Sequence, residues 1–185
     1  MPLEIVIMRH PPVAVTGVCY GQSDVPLAID PETEIPRLAA DPLVRRATRA
    51  WTSPWHRARV VAESLAPKLG LSLTADSRLS EIGFGEWELK TFAELERTDP
   101  ERFNSWMRDW TTATPPGGGE SIDDLVRRVR GWAVEVAAMP PAIHLVVAHG
   151  GVVRAFRHLA TGASYREAFA TPTPFLTPEY LSIPL

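Results

Sequence analysis

IVIMRHPP, residues 5–12, is the stretch on which the fold of this chain turns. Ile5, Val6, Ile7 and Met8 make a short, wholly apolar run rich in β-branching. That is the pattern of a strand buried on both faces in the middle of a parallel sheet. Arg9 and His10 follow at once, and Pro11 and Pro12 then forbid further regular structure. Pro11 also holds His10 extended, because the residue before a proline is excluded from the helical region. A guanidinium and an imidazole thus stand at the carboxyl end of a central strand, where open α/β sheets bind their ligands.

The same design recurs downstream. IHLVVA, residues 143–148, reads as a second buried strand that delivers His149, followed by Gly150, Gly151 and a helix reaching about Leu159. The N–H groups and dipole at the start of that helix favour an anion. Between the two, residues 48–53 read as a short strand ended by Pro54, and an amphipathic helix over 57–69 carries Arg57 in its first turn. Two histidines, two arginines and a helix N-terminus converging on one sheet edge make a pocket for a doubly charged anion. Phosphate is the natural candidate, since the planar fork of arginine matches its oxygens bidentately.

The remaining chain supplies the other layers. Residues 13–30 form an irregular loop, of the kind that carries function when it follows a central strand. A helix is expected from Pro31 through Ala40 and a third strand over residues 71–75. Phe103, Trp106, Met107 and Trp110 fall on one helix face, which is either core or a small cap whose aromatics line substrate. A glycine-rich turn then leads to a helix over 122–138, with Ser121 and Asp124 as its capping pair. The proline-rich tail after residue 170 leaves room for one edge strand. The expected fold is α/β, a three-layer α/β/α domain over residues 1–185 with a mainly parallel central sheet. A small helical cap, residues 92–120, is inserted into it.

Composition narrows the function. With 45% hydrophobic and 22% charged residues, the chain has the balance of an ordinary globular protein. A net charge of −3 gives no reason to expect nucleic acid or an anionic membrane as partner. No apolar run is long enough to span a bilayer, and no secretory leader is read at the N-terminus, so a cytoplasmic location is expected. Cys19 is the single cysteine, which excludes an intrachain disulfide and a CxxC zinc cluster. His144 and His149 lie five apart along a strand and point to opposite faces, and no HExxH pairing occurs. No metal and no cofactor are therefore expected. A GxSxG elbow is also missing, which counts against a serine hydrolase.

Four motifs, in order, carry a resemblance. They are M-R-H at 8–10, S-P-W-H-R-A at 53–58, L-S-E-I-G-F-G-E-W-E at 79–88 and A-H-G-G at 148–151. Together they make the sequence similar to the histidine phosphatase superfamily, also called the phosphoglycerate mutase-like fold. The resemblance implies that His10 is a nucleophile that becomes a phosphohistidine. It implies that Arg9, Arg57 and His149, with Gly150 at the helix start, hold the phosphate oxygens. Glu81 would protonate the leaving alcohol and then help a water attack. Each role suits the chemistry of its side chain. A neutral imidazole is a competent nucleophile, arginines stabilise the equatorial oxygens, and an alkoxide needs a proton to leave.

One loop departs from the family pattern. The family usually has R-H-G followed by a phosphate-contacting asparagine, whereas here R-H-P-P-V-A-V-T stands, and the one asparagine is Asn104. The missing contact falls to Thr16, Gln22, Ser23 or backbone N–H groups. FGEWE after Glu81 resembles the phosphatase branch, and C-Y-G-Q-S-D-V-P-L at 19–27 resembles the loop of α-ribazole phosphatases. The resemblance therefore implies a metal-independent phosphomonoesterase for a small phosphorylated metabolite, with α-ribazole 5′-phosphate as one expected substrate. A phosphoglycerate mutase and a catalytically inactive phosphate-binding module are the alternatives. The oligomeric state stays open.

Overall fold

The computed structural model describes residues 2–185. Its centre is a five-stranded sheet made of β1 (Leu3–Arg9), β2 (Arg49–Thr52), β3 (Leu73–Ala75), β4 (Ile143–Ala148) and β5 (Glu179–Ile183). The order across the sheet is β3-β2-β4-β1-β5, parallel throughout except for the antiparallel edge strand β5. The two apolar runs ending in histidine are therefore neighbours at the middle of the sheet, with Arg9 opposite Ala148.

Alternation along these strands builds both outer layers. Ile5 and Ile7 of β1, with Val146 and Ala148 of β4, face a core formed by α5 (Ile122–Ala137) and α6 (Gly150–Thr161) around Trp132 and Phe156. Val6, Met8, Leu145 and Val147 face the other side, against α1 (Ile35–Ala40) and α2 (His56–Lys68). Burial on both faces is what the unbroken apolar runs required. The three layers are thus α/β/α, as expected.

Some boundaries move for local reasons. The helix expected from Pro31 to Ala40 divides into a 3₁₀ turn, Pro31–Thr33, and α1. Pro36 has no N–H with which to continue a helix across the break. Ser121 and Asp124 form the expected capping box of α5. The sequence reading passes over α7 (Tyr165–Ala170), whose six residues show little periodicity but whose Ser164 and Glu167 form another capping box.

The segment read as a cap folds into α3 (Phe92–Thr98) and α4 (Pro100–Arg108). Its aromatic stripe divides three ways. Phe103 is buried in a satellite cluster with Cys19, Trp87 and Leu95. Met107 is exposed, while Trp106 and Trp110 line a cavity that also contains Glu81. The stripe is thus part core and part cavity wall.

His144 of β4 takes no part in the sheet-edge cluster. Its Nδ1 accepts the Trp51 indole N–H at 2.9 Å, so the ring must be neutral. Burial, with a contribution from Arg49, pushes its pKa down to about 4. A histidine depressed in the folded state binds its proton first in the unfolded chain, so stability is full above about pH 6.5 and is lost as pH falls toward 4. One such group contributes a slope of about 1.4 kcal/mol per pH unit across that window. Urea unfolding between pH 7 and 5 should show this loss, and His144→Gln should unfold with a shallower pH dependence, although less stable at pH 7. An unchanged slope would mean that His144 is not the group being titrated.

Candidate active site

The sheet order brings three strand exits together. The ladder runs one residue past each strand, His10 N–H donating to Ala148 O at 2.9 Å and Ser53 N–H to Val147 O at 3.2 Å. The His10 and His149 rings consequently sit edge to face, 5.2 Å apart between centroids. His10 Nδ1 lies 2.6 Å from the Pro11 carbonyl. A carbonyl only accepts, so Nδ1 carries the proton and Nε2 keeps its lone pair free. Burial pushes the His10 pKa down to about 3; the Pro11 bond opposes this, and Arg57 and Arg9 reinforce it. The ring is therefore neutral and nucleophilic near pH 7. His149 is fully buried, its Nε2 2.7 Å from Ser53 Oγ, and burial holds its pKa well below the ordinary histidine value.

The arginines organise the loop above. Arg57 has no exposed surface and donates to the carbonyls of Ser23 at 2.8 Å, Tyr20 at 3.0 Å and Gly21 at 2.6 Å. Arg59, two residues on, is instead an exposed partner of Glu63. Arg9 stacks on Phe175 at 3.9 Å and donates to the Thr173 carbonyl and the Tyr20 hydroxyl, each at 3.2 Å. Arg9 Nε, Arg57 Nε, His149 Nδ1 and Thr173 Oγ1 remain buried without a partner. Each such group costs about 1–3 kcal/mol, a cost an anion accepting from them would remove.

Gln22 and Ser23 are differently engaged from what the sequence suggested. The Gln22 amide donates to Glu81 O at 3.2 Å and to Glu120 at 3.3 Å, and the Ser23 hydroxyl donates to Glu88 at 2.8 Å. Neither side chain keeps a free donor for a phosphate oxygen, and Thr16 is exposed. Their work here is to tie the 20–23 loop to the 81–88 loop. Gly21 permits that contact, since a Cβ there would collide with Ile82 O.

Glu81 reaches the start of α6. Both of its carboxylate oxygens lie 3.1 Å from the Gly151 N–H, and Oε1 also accepts from Ile82 N at 3.0 Å. The helix N-terminus therefore holds a carboxyl group of the chain itself. Gly150 stands beside it, close to Arg9 Nε and Thr173. The backbone around Glu81 is clamped by Arg128 of α5, which donates to the carbonyls of Arg78, Ser80 and Glu81 and to the Glu120 carboxylate at 2.7–2.9 Å. Sequence reading missed Arg128, although a charge beside the apolar stripe of Leu125, Val129 and Trp132 was a signal. It also missed Tyr20, Ser53, Thr173 and Arg154.

A Cβ on Gly151 would collide with Glu81 Oε1. Gly151→Ala should therefore displace the carboxylate while leaving His10 and both arginines in place. A misplacement of about 1 Å costs roughly 10²-fold in rate. Such a loss in kcat/KM is expected on alkyl phosphates, with a smaller one on p-nitrophenyl phosphate, which needs no proton donor. Equal losses would place the damage elsewhere.

Beside Glu81 lies a cavity of about 300 Å³, walled by Tyr20, Ile82, Phe84, Trp106, Trp110 and Phe169 among others. A larger one, about 530 Å³, opens at the opposite, amino-terminal edge of β1 and β4, far from the histidine pair. Glu81, Gly151, Tyr20 and Gly21, which line the smaller cavity, also touch or adjoin the His10–His149 cluster, and that adjacency favours it as the site, although neither histidine lines it. Among the described residues, no helix is long and apolar enough to cross a membrane.

Known proteins resemble this chain in sequence and fold. A bifunctional protein of Mycobacterium tuberculosis is 42% identical over 113 residues, covering 60% of this chain and 30% of its own length. Glucosyl-3-phosphoglycerate phosphatase of the same species is 33% identical over 113 residues, covering 56% of this chain and 50% of its own. The chain thus spans half or less of the length of these relatives. A solved structure titled mycobacterial hydrolase 1 superposes with a TM-score of 0.83 at 26% identity, covering 98% of this chain and 92% of that one. The model of the histidine phosphatase superfamily (branch 1) matches residues 5–176, from the first residue of the IVIM run to the loop before β5, and the chain belongs to that family.

Proposed function

We propose that this chain is a metal-independent phosphomonoesterase acting through a phosphohistidine on His10. The carrying observation is the set of buried, unpartnered polar atoms on Arg9, Arg57 and His149 beside a neutral imidazole whose Nε2 is free. His10 Nε2 attacks phosphorus, the P–O bond to the alcohol breaks, and the protonated Glu81 carboxyl gives its proton to the departing oxygen. The phosphorylated ring is then cationic, and the Pro11 carbonyl continues to accept its Nδ1–H. Water attacks the phosphohistidine, loses a proton to Glu81, and releases phosphate with His10 restored. Arg9, Arg57 and His149 stabilise the equatorial oxygens in both steps.

Rapid quenching with labelled substrate should trap an acid-labile phosphoprotein that His10→Ala does not form. Because the charges opposing the phosphate are arginines, EDTA should leave kcat/KM unchanged. Inhibition relieved by a divalent cation would overturn the metal-free mechanism. The substrate is a small phosphate ester, and a metabolite panel should include α-ribazole 5′-phosphate, which the 19–27 loop suggests. Conversion of 3-phosphoglycerate to its isomer, rather than phosphate release, would favour the mutase alternative. Formation of no phosphoenzyme with any ester would favour the inactive module.

A further inference from the structure

Arg154 is a cation that none of the roles above uses. It lies on α6, three residues beyond Gly151, and lines the 300 Å³ cavity together with Glu81. Its Nε is buried without a partner. Its neighbours are the Phe169 ring, 5.8 Å from the guanidinium carbon, and, acting through space, the Glu81 carboxyl group and the guanidinium groups of Arg9 and Arg157. A half-buried guanidinium with one buried, unpartnered N–H among aromatic walls gains from an anion that joins it.

We propose that this cavity receives the alcohol part of the substrate and that Arg154 selects alcohols bearing a carboxylate on an apolar or aromatic body. The inference rests on the phosphomonoesterase reading and names the substrate class for it. The position fits, because Glu81 and Gly151 form the side of the cavity from which the leaving oxygen would be protonated. Phe84, Trp106, Trp110, Ile122 and Phe169 supply apolar walls for the body of the alcohol. A volume of about 300 Å³ is the share of about ten liquid waters, enough for a leaving group of roughly that many heavy atoms. A single-charged carboxylate is favoured over a second phosphate, since Arg9 is assigned to the transferred phosphate and Arg157 is paired with Glu179, which leaves Arg154 as the guanidinium lining the cavity. Arginine's planar fork matches a carboxylate with two parallel donors.

The test compares para-carboxybenzyl phosphate with para-carbamoylbenzyl phosphate, which has the same shape without the charge. Wild-type protein should prefer the carboxylate ester in kcat/KM by about tenfold or more, the scale of one hydrogen-bonded charge pair. Arg154→Met should bring that ratio to about one, and Arg154→Lys should keep an intermediate preference, having the charge without the fork. The inference is overturned if wild-type protein hydrolyses both esters equally, or if Arg154→Met lowers both together and preserves their ratio. Hydrolysis of the two at equal rates would leave the phosphomonoesterase reading standing. No phosphate release from either ester, or from p-nitrophenyl phosphate, would overturn that reading and the inference with it.

Discussion

His10→Ala should reduce phosphate release by more than about a thousandfold, the scale on which removing a covalent nucleophile operates. The loss should appear with every substrate, including esters of acidic alcohols, because the covalent step runs through the His10 ring whatever the leaving group. The imidazole is 1% exposed and packed among the rings of His149, Tyr20 and Phe175. Its removal therefore also leaves a void, and a stability loss of about 1–3 kcal/mol is expected. Circular dichroism and a thermal melt separate the two effects. A variant that is folded at the assay temperature yet retains a tenth of wild-type activity would sink the assignment of His10 as nucleophile.

Glu81→Gln carries the second large effect, and its signature is selective. A general acid contributes roughly 10²–10⁴-fold when the leaving group is poor. With an alkyl phosphate, the variant should lose about that much in kcat/KM. With p-nitrophenyl phosphate it should lose far less, since the phenolate departs without a proton. Glutamine keeps the shape and an acceptor oxygen for the Gly151 and Ile82 N–H groups that now bind the carboxylate. The variant should therefore fold as the parent does. Both substrates must be compared at one pH, where kcat/KM reports transition-state stabilisation directly. Equal losses on the two would make Glu81 a structural residue and leave the proton donor to be sought elsewhere.

What the sequence determined by itself is local. A short, β-branched apolar run bounded by prolines or glycines reads as a doubly buried strand, so His10 and His149 were legible as strand-exit residues. The capping pair Ser121 and Asp124 was legible for the same reason, its partners being three residues apart. Arg57, which the resemblance marks through the S-P-W-H-R-A motif, is buried, whereas Arg59 is exposed.

What only the tertiary structure decided depends on which strands pair. β4 lies between β1 and β2, and that order alone sets His149 against both His10 and Ser53. Side-chain direction across long gaps is likewise invisible to periodicity. It gives the Gln22 and Ser23 side chains to a loop-to-loop tie, sends the Glu81 carboxyl group to the N-terminus of α6, and divides the aromatic stripe among core, cavity and solvent. Arg128 and Arg154 are both helix arginines in the sequence. The first is satisfied by three carbonyls and a carboxylate, and the second keeps a buried, unpartnered Nε beside the cavity. Their difference comes from what packs opposite each one, because a guanidinium's partners lie up to fifty residues away along the chain while helical periodicity reports only which face it occupies.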